Sequence, residues 1–166
     1  MKLPDSTTLI FGLLLLTVIV VLDIMLRYFD LPTWPAFMVM IFFFEVHMEP
    51  KRATHIVLGG LVGIVCYMLA VQFVDFISPI MGVTTAQLTY VCLAVYVFVA
   101  FGESFPMIFN NYAFMFFLVS GLAGTVVGES PEPWLWVGAE LVGGALAIIG
   151  ILFINRLTPL LSRLPQ

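Results

Sequence analysis

Residues 9–22 read LIFGLLLLTVIVVL, an unbroken run in which only Thr17 carries a polar side-chain atom. The run predicts a helix over about residues 7–26, which ends at a charged cluster over residues 27–30. About 20 predominantly apolar residues suffice to cross a bilayer as a helix, so this segment is long enough to span one. Lys2 precedes it as in a signal peptide, but no small-residue cleavage motif follows, and we interpret it as a retained first helix.

The rest of the chain has the same apolar character. Of the 166 residues 62% are apolar and 10% are charged, whereas soluble domains have about 45–50% and about 25%. No segment alternates strictly between apolar and polar residues as a barrel strand does. We therefore predict an all-α fold in which residues 1–166 form one integral membrane domain of five to six short transmembrane helices. A net charge of −4 offers no basic face to nucleic acid, so the expected partner is the lipid bilayer.

Five further apolar segments are expected, over about residues 31–47, 54–76, 84–101, 105–127 and 134–154. A turn over residues 78–82 is expected to separate the third segment from the fourth. The segment 31–47 is just under the usual spanning length, so it is either a short tilted helix or a re-entrant half-helix.

The distribution of Lys and Arg residues does not choose between these two topologies. If all six segments cross, only Arg27 is on one side, and the other side holds Lys2, Lys51, Arg52, Arg156 and Arg163. If segment 31–47 re-enters, Arg27 and Lys2 exchange sides, and the excess of Lys and Arg residues on one side is equally large. By the positive-inside rule both topologies place the C-terminus in the cytoplasm.

Two parts of the chain are similar to each other. Residues 58–65 read LGGLVGIV and residues 142–149 read VGGALAII, and each follows a phenylalanine-rich segment that begins near a proline. A duplicated three-segment unit, with repeats over 7–77 and 83–155, would place its halves in opposite orientations. Many transporters have this design, with the solute site near the midplane where the halves meet. Glycine and phenylalanine are also common in membrane helices, so a chance similarity is the alternative.

Residues 31–67 combine a Trp-Pro start, a short aromatic helix, a Pro-Lys-Arg hinge and a glycine-rich helix. In this they resemble small bacterial inner-membrane proteins of the DUF1097 type and, more distantly, the membrane domain of fusaric-acid-resistance (FUSC-like) proteins. The resemblance implies a compact module of the bacterial inner membrane. Solute efflux or permeation is the activity that it implies, by way of the better understood relatives.

A few polar residues lie within or next to the apolar segments, and ionisable groups in a membrane usually face a cavity or a partner. We predict a solute path lined by Glu45, His47, Asn110, Asn111 and Glu140. Each has a structural alternative, since polar groups also end helices and join them by hydrogen bonds. Glu45 would share a helix face with Glu49 if the second helix continued to Pro50. Asp23 and Arg27, four residues apart, are expected to form an ion pair.

Four glycines, Gly59, Gly63, Gly143 and Gly144, are expected to allow close helix packing, either within one chain or between subunits. The leading functional hypothesis is a channel or transporter subunit, a homo-oligomer that moves a small polar or organic small-molecule solute. A membrane scaffold or accessory subunit without transport activity is the alternative. The Glu and His residues near positions 45–55 match no recognised metal-site spacing, and no catalytic motif occurs. We therefore expect no enzyme activity, metal or cofactor.

Overall fold

The computed structural model describes residues 5–125 and 132–161, and all regular secondary structure in these ranges is helical. The helices are α1 (Ser6–Tyr28), α2 (Trp34–Glu45), α3 (Pro50–Met81), α4 (Val83–Gly102), α5 (Asn111–Ala123) and α6 (Pro133–Leu161). Four of them, α1, α3, α4 and α6, are long and apolar enough to cross a membrane, whereas α2 and α5 are shorter. The predicted all-helical fold is confirmed for the described residues.

Consecutive helices run in opposite directions between two ends of the bundle. At the first, called the proximal end, Phe11 near the start of α1 packs on Phe44 near the end of α2. The ends of α2 and α4 and the starts of α3 and α5 line one cavity there. At the other, called the distal end, Trp34 at the start of α2 packs on Trp136 near the start of α6. The short helix α2 therefore connects opposite ends of the bundle.

Each short helix packs against a glycine-bearing helix. A Cβ atom on Gly143 of α6 would lie 2.7 Å from the Cβ of Ala36 in α2, and one on Gly144 would lie 2.9 Å from a methyl group of Val39. In the same way α5 packs on α3, because a Cβ atom on Gly63 would overlap the backbone of α5. These are contacts that only a residue without a side chain permits. The short helix of each half of the chain thus contacts the glycines of the other half.

The chain leaves α2 through a helix cap that requires left-handed backbone. The N–H of Met48 donates to the carbonyl of Phe43 and the N–H of His47 donates to that of Phe44, both at 2.9 Å. His47 has φ 55°, and this pair of bonds is the Schellman motif that commonly ends helices. The end of α1 has the same arrangement, with Asp30 at φ 53°. His47 therefore has a structural role at this position that glycine usually fills.

Several expected boundaries are wrong. Helix α3 continues through the turn expected over residues 78–82. Pro79 lies within its last turn, and the helix ends where Gly82 adopts φ 84°. Helix α5 begins at Asn111 rather than near residue 105, since Asn110 caps it. Helix α2 ends at Glu45 and Glu49 instead precedes α3, so these two carboxylates do not share a helix face.

Candidate functional site

The most unusual side chain in the bundle is Glu140. It lies in the π-helical segment Ala139–Gly144, where α6 is locally widened, and its relative exposure is 0%. Neither carboxyl oxygen has a hydrogen-bond partner among residues 5–125 and 132–161. A π-helical turn inside an α-helix frequently marks a functional position. Glu140 was predicted from the sequence as an inward-facing residue, and the structure places it fully inside the protein.

The carboxyl of Glu140 lies directly against Gly60 of α3. A Cβ atom on Gly60 would overlap Oε1 of Glu140 and would lie 2.9 Å from Cε2 of Phe116 in α5. Glycine at this position therefore makes the space that the carboxyl occupies. Sequence analysis singled out the neighbouring Gly59 and overlooked Gly60, although the Gly-Gly pair and the buried glutamate were both visible.

Aromatic side chains surround this position. Trp136, one helical turn before Glu140, lies 5.4 Å from Trp34 and 5.4 Å from Tyr67, measured between ring centroids. Trp34 in turn lies 6.1 Å from Phe116. The indole Nε1 of Trp34 is also buried without a hydrogen-bond partner among the described residues. These rings supply no formal positive charge to balance a carboxylate.

A cavity of about 680 Å³ opens at the proximal end between α3, α4 and α5. It gathers three of the five residues predicted to line a solute path, Glu45, Asn110 and Asn111, although α2 and α5 are far apart in the sequence. Arg52 and His55 of α3 also line it. Neither His47 nor Glu140 lines this cavity.

Asn110 is fully engaged by the backbone. Its amide nitrogen donates to the carbonyls of His55 at 3.2 Å, Pro106 at 3.1 Å and Met107 at 3.2 Å. Its side-chain oxygen accepts from the N–H of Ala113 at 3.0 Å, which caps α5. These bonds correspond to the structural alternative for Asn110, whereas Asn111 is exposed at the cavity.

The proximal cavity contains both signs of charge. Glu45 is exposed, and the guanidinium of Arg52 makes only a long contact of 3.9 Å to Glu49. His55 contributes a buried Nδ1 atom that lacks a hydrogen-bond partner among the described residues. The cavity can therefore offer an acceptor, a cationic donor and an imidazole to one small molecule. Outside the cavity, the expected pair of Asp23 and Arg27 is confirmed at 2.8 Å.

A second cavity, of about 580 Å³, lies toward the distal end between the same three helices. Its polar lining residues include Asp75 of α3, Gln87 of α4 and Thr125, and its floor includes Tyr90 and Phe117. Nothing in the sequence analysis pointed to this cavity. Its residues are separated by up to 58 positions, from Tyr67 to Thr125, and only the packing of α4 against α3 and α5 brings them together.

Comparison of the chain with protein-family models, curated proteins and solved structures finds no match. A function for this chain is therefore inferred from its own geometry. That geometry has two parts: a buried carboxyl without a partner among the described residues, and two cavities along one group of helices.

Proposed function

We propose that this chain is a small channel or transporter subunit that moves a small polar or organic solute across the bacterial inner membrane. The observation that carries the proposal is Glu140, fully buried in a π-helical segment with both carboxyl oxygens unbonded among the described residues. The resemblance of residues 31–67 to the DUF1097 type agrees with an inner-membrane location.

A purely structural role is a poor explanation for Glu140. A polar residue that joins membrane helices does so through hydrogen bonds, and none to Glu140 is present in residues 5–125 and 132–161. An ionised carboxylate without a partner in a membrane interior costs at least about 2.5–3.5 kcal/mol. Burying a polar group without a hydrogen bond costs free energy, so an apolar side chain would meet a purely structural requirement better. Binding a proton or another cation during a transport cycle would remove this cost, which is why the residue supports a functional site.

The arrangement of the helices supports six membrane crossings. Successive helices alternate in direction, and α2 connects the distal end to the proximal end. At about 1.5 Å per residue the 12 residues of α2 span about 18 Å, so its flanking loops complete the crossing. Lys51 and Arg52 lie at the proximal end with Arg156, and Arg27 lies at the distal end. The positive-inside rule then supports a cytoplasmic location for the proximal end, where the last described turn of α6 lies.

An inverted duplication accounts for the crossed packing of the two halves. The first half contains α1, α2 and α3, and the second half contains α4, α5 and α6, which run in the opposite directions. Each half has a short middle helix that packs on the glycines of the other half. Transporters with inverted repeats bind their solutes where such halves meet, and Glu140 lies at that contact.

A scaffold or accessory subunit is the second candidate function. It is favoured by the bonding of Asn110, which serves the backbone alone. It is also favoured by the apolar outer faces of α1 and α4, where Leu13 is 67% and Leu88 is 63% exposed. In an oligomer such faces meet lipid, a second copy or another protein. The homo-oligomer that we propose uses part of this surface for contacts between copies.

Solute flux through reconstituted protein tests the proposal. The purified full-length chain is placed in liposomes, and vesicle re-swelling is followed by stopped-flow light scattering with glycerol, urea and glycine as probes. We expect at least one probe to enter faster than into protein-free vesicles. Glu140→Gln, which keeps the shape and removes the charge, should change that rate, and Glu132→Gln, at an exposed glutamate, should leave it unchanged. Equal rates in protein-free and protein-containing vesicles, together with recovery of the chain in a larger complex, would favour the accessory role.

A further inference from the structure

The two cavities lie on one continuous surface between α4 and the α3–α5 pair. From the distal to the proximal end, α4 contributes residues at intervals of one, three or four, which form one face of the helix: Val83, Gln87, Tyr90, Val91, Val95, Phe98, Val99 and Gly102. The first four line the distal cavity and the last four line the proximal one. We call this surface the α4 seam.

The barrier between the cavities is about one helical turn thick. Val91 lines the distal cavity and Val95 lines the proximal one, a separation of about 6 Å along a helix axis. Across this turn the ring of Phe98 lies 6.4 Å from that of Phe117, which lies 6.2 Å from that of Tyr90. We call Phe98, Phe117 and Tyr90 the aromatic layer.

Polar side chains line the outer ends of the seam, and the aromatic layer between them is apolar. Glu45, Arg52 and Asn111 line the proximal cavity, and Asp75 and Gln87 line the distal one. Phe98 and Phe117 in the layer are only 8% and 5% exposed. Polar groups at both ends of a path and a buried aromatic layer between them are typical of pores that are gated by a hydrophobic constriction.

Helix α4 has few buried residues and is tied to α3 at the layer. Its buried residues are Ala86, Ala94 and Phe98. The hydroxyl of Tyr90 donates to the backbone carbonyl of Cys66 at 2.8 Å. This bond fixes the Tyr90 ring across the seam, so breaking it would allow α4 and the ring to move away from α3.

Resting on the proposed function, we propose that the solute crosses along the α4 seam and that the aromatic layer is the closed gate. The two cavity volumes fall in the range of about 300–1,000 Å³ that is usual for small-molecule sites. Carboxylate, guanidinium and amide groups all face the proximal cavity, which suits a small neutral or zwitterionic solute with several hydrogen-bonding groups. Neither cavity is lined by Glu140, so the route itself passes beside that residue.

Cysteine labelling tests the route without knowledge of the solute. In a background of Cys66→Ala and Cys92→Ala, Asn111→Cys and Gln87→Cys are treated in sealed vesicles with a charged, membrane-impermeant methanethiosulfonate. We expect each variant to react from one side only, and from opposite sides. Leu13→Cys, at an exposed apolar position of α1, is the unreactive control. If lipid chains or a second copy fill the seam, Asn111→Cys and Gln87→Cys stay as unreactive as the control, which would overturn the proposal.

Substitutions in the aromatic layer test the gate. Tyr90→Phe keeps the ring and removes the bond to Cys66, and Phe98→Ala removes one ring of the layer. We expect glycerol re-swelling to quicken by about tenfold in Phe98→Ala, which corresponds to a barrier lowered by about 1.4 kcal/mol. A smaller rise is expected in Tyr90→Phe, a change mild enough to keep the protein folded. Phe153→Ala, at a ring that is 63% exposed on α6, is the matched control.

The outcomes separate this proposal from the proposed function. If Glu140→Gln alters flux while the seam variants behave like Phe153→Ala, the route along the seam is wrong and a transport function stands. If the wild-type protein passes none of the probes, a rise in Phe98→Ala and Tyr90→Phe still supports a closed gate. Labelling of both seam cysteines from the same side would refute a continuous route.

Discussion

Substitution of Gly63 by alanine should destabilise the protein because helix α5 leaves no space for a side chain. A Cβ atom there would overlap the carbonyl oxygen of Ala113, and it would lie 2.6 Å from the Cβ of Phe116 and 2.8 Å from the backbone nitrogen of Phe117. Carbon atoms in contact prefer separations of about 3.5–4.0 Å, so α5 must retreat by about 1 Å. Since two of these obstacles are backbone atoms, no rotation of a side chain can relieve the overlap.

The expected cost can be assembled from separate contributions. Overpacking a filled interior costs about 1–3 kcal/mol. A 1 Å retreat of α5 would also break the bond of 3.2 Å from Asn110 to the carbonyl of His55, which is worth about 1 kcal/mol. Against this, alanine is favoured over glycine in a helix by about 1 kcal/mol. Gly63→Ala should therefore lower the free energy of unfolding by about 1–3 kcal/mol.

Gly121→Ala is the matched control for this substitution. Gly121 lies in α5, and nothing is within 4 Å of the position that its Cβ would take. Here only the helix preference acts, so stability should rise by about 0.5–1 kcal/mol. Unfolding in detergent micelles, followed by far-ultraviolet circular dichroism as denaturant is added, measures both variants. If Gly63→Ala were as stable as Gly121→Ala, the close contact between α3 and α5 would be refuted.

Four further substitutions distinguish structural from functional roles. Glu140→Met should leave the free energy of unfolding unchanged or raise it, because an unpaired buried carboxyl is exchanged for an apolar chain. The same substitution should alter solute flux. Strong destabilisation would indicate a partner for Glu140. His47→Gly should stabilise the protein by up to about 1 kcal/mol, because glycine has no penalty at positive φ. A large change in flux would instead support the predicted position of His47 in the solute path. Asn110→Ala should lower the free energy of unfolding by about 1 kcal/mol or more, because the cap of α5 is lost. Asn111→Ala should affect solute flux more than stability. Denaturant unfolding measures the change in stability, and vesicle re-swelling measures the change in flux.

The sequence allowed the helices to be predicted wherever apolar composition alone decides them. Helix α1 lies within two residues of its expected bounds at each end, because an apolar run is bounded there by Asp5 and by the Arg27 cluster. The start of α5 was missed by six residues, because it depends on bonds from Asn110 to residues on both sides of it and to His55 of another helix. Asparagine is a preferred N-cap residue, but the apolar residues 107–109 before it extended the apolar pattern and concealed the start of the helix.

The candidate site was predictable only in part, for a related reason. Glu140 could be singled out because a lone carboxyl in an apolar segment is conspicuous. Its contact with Gly60 could not, since it depends on how α6 crosses α3. The aromatic layer was still harder to predict. The chain has 16 phenylalanines, and their sequence positions do not distinguish a gate from a lipid-facing surface. His47 was conspicuous for its charge, yet its backbone angle explains its position.

The buried carboxyl and the seam are joined through two adjacent residues of α5. Phe116 meets the Gly60 position beside Glu140, and Phe117 belongs to the aromatic layer on the α4 side. Interiors packed to this density transmit a displacement, because no voids absorb it. In the transport cycle that we propose, a movement of the Glu140 carboxyl would push on Gly60 or Phe116, and a shift of α5 would carry Phe117 with it. A single helix displacement of about 1 Å, the distance at which ring contacts weaken appreciably, would thus connect a chemical event at Glu140 to the opening of the seam.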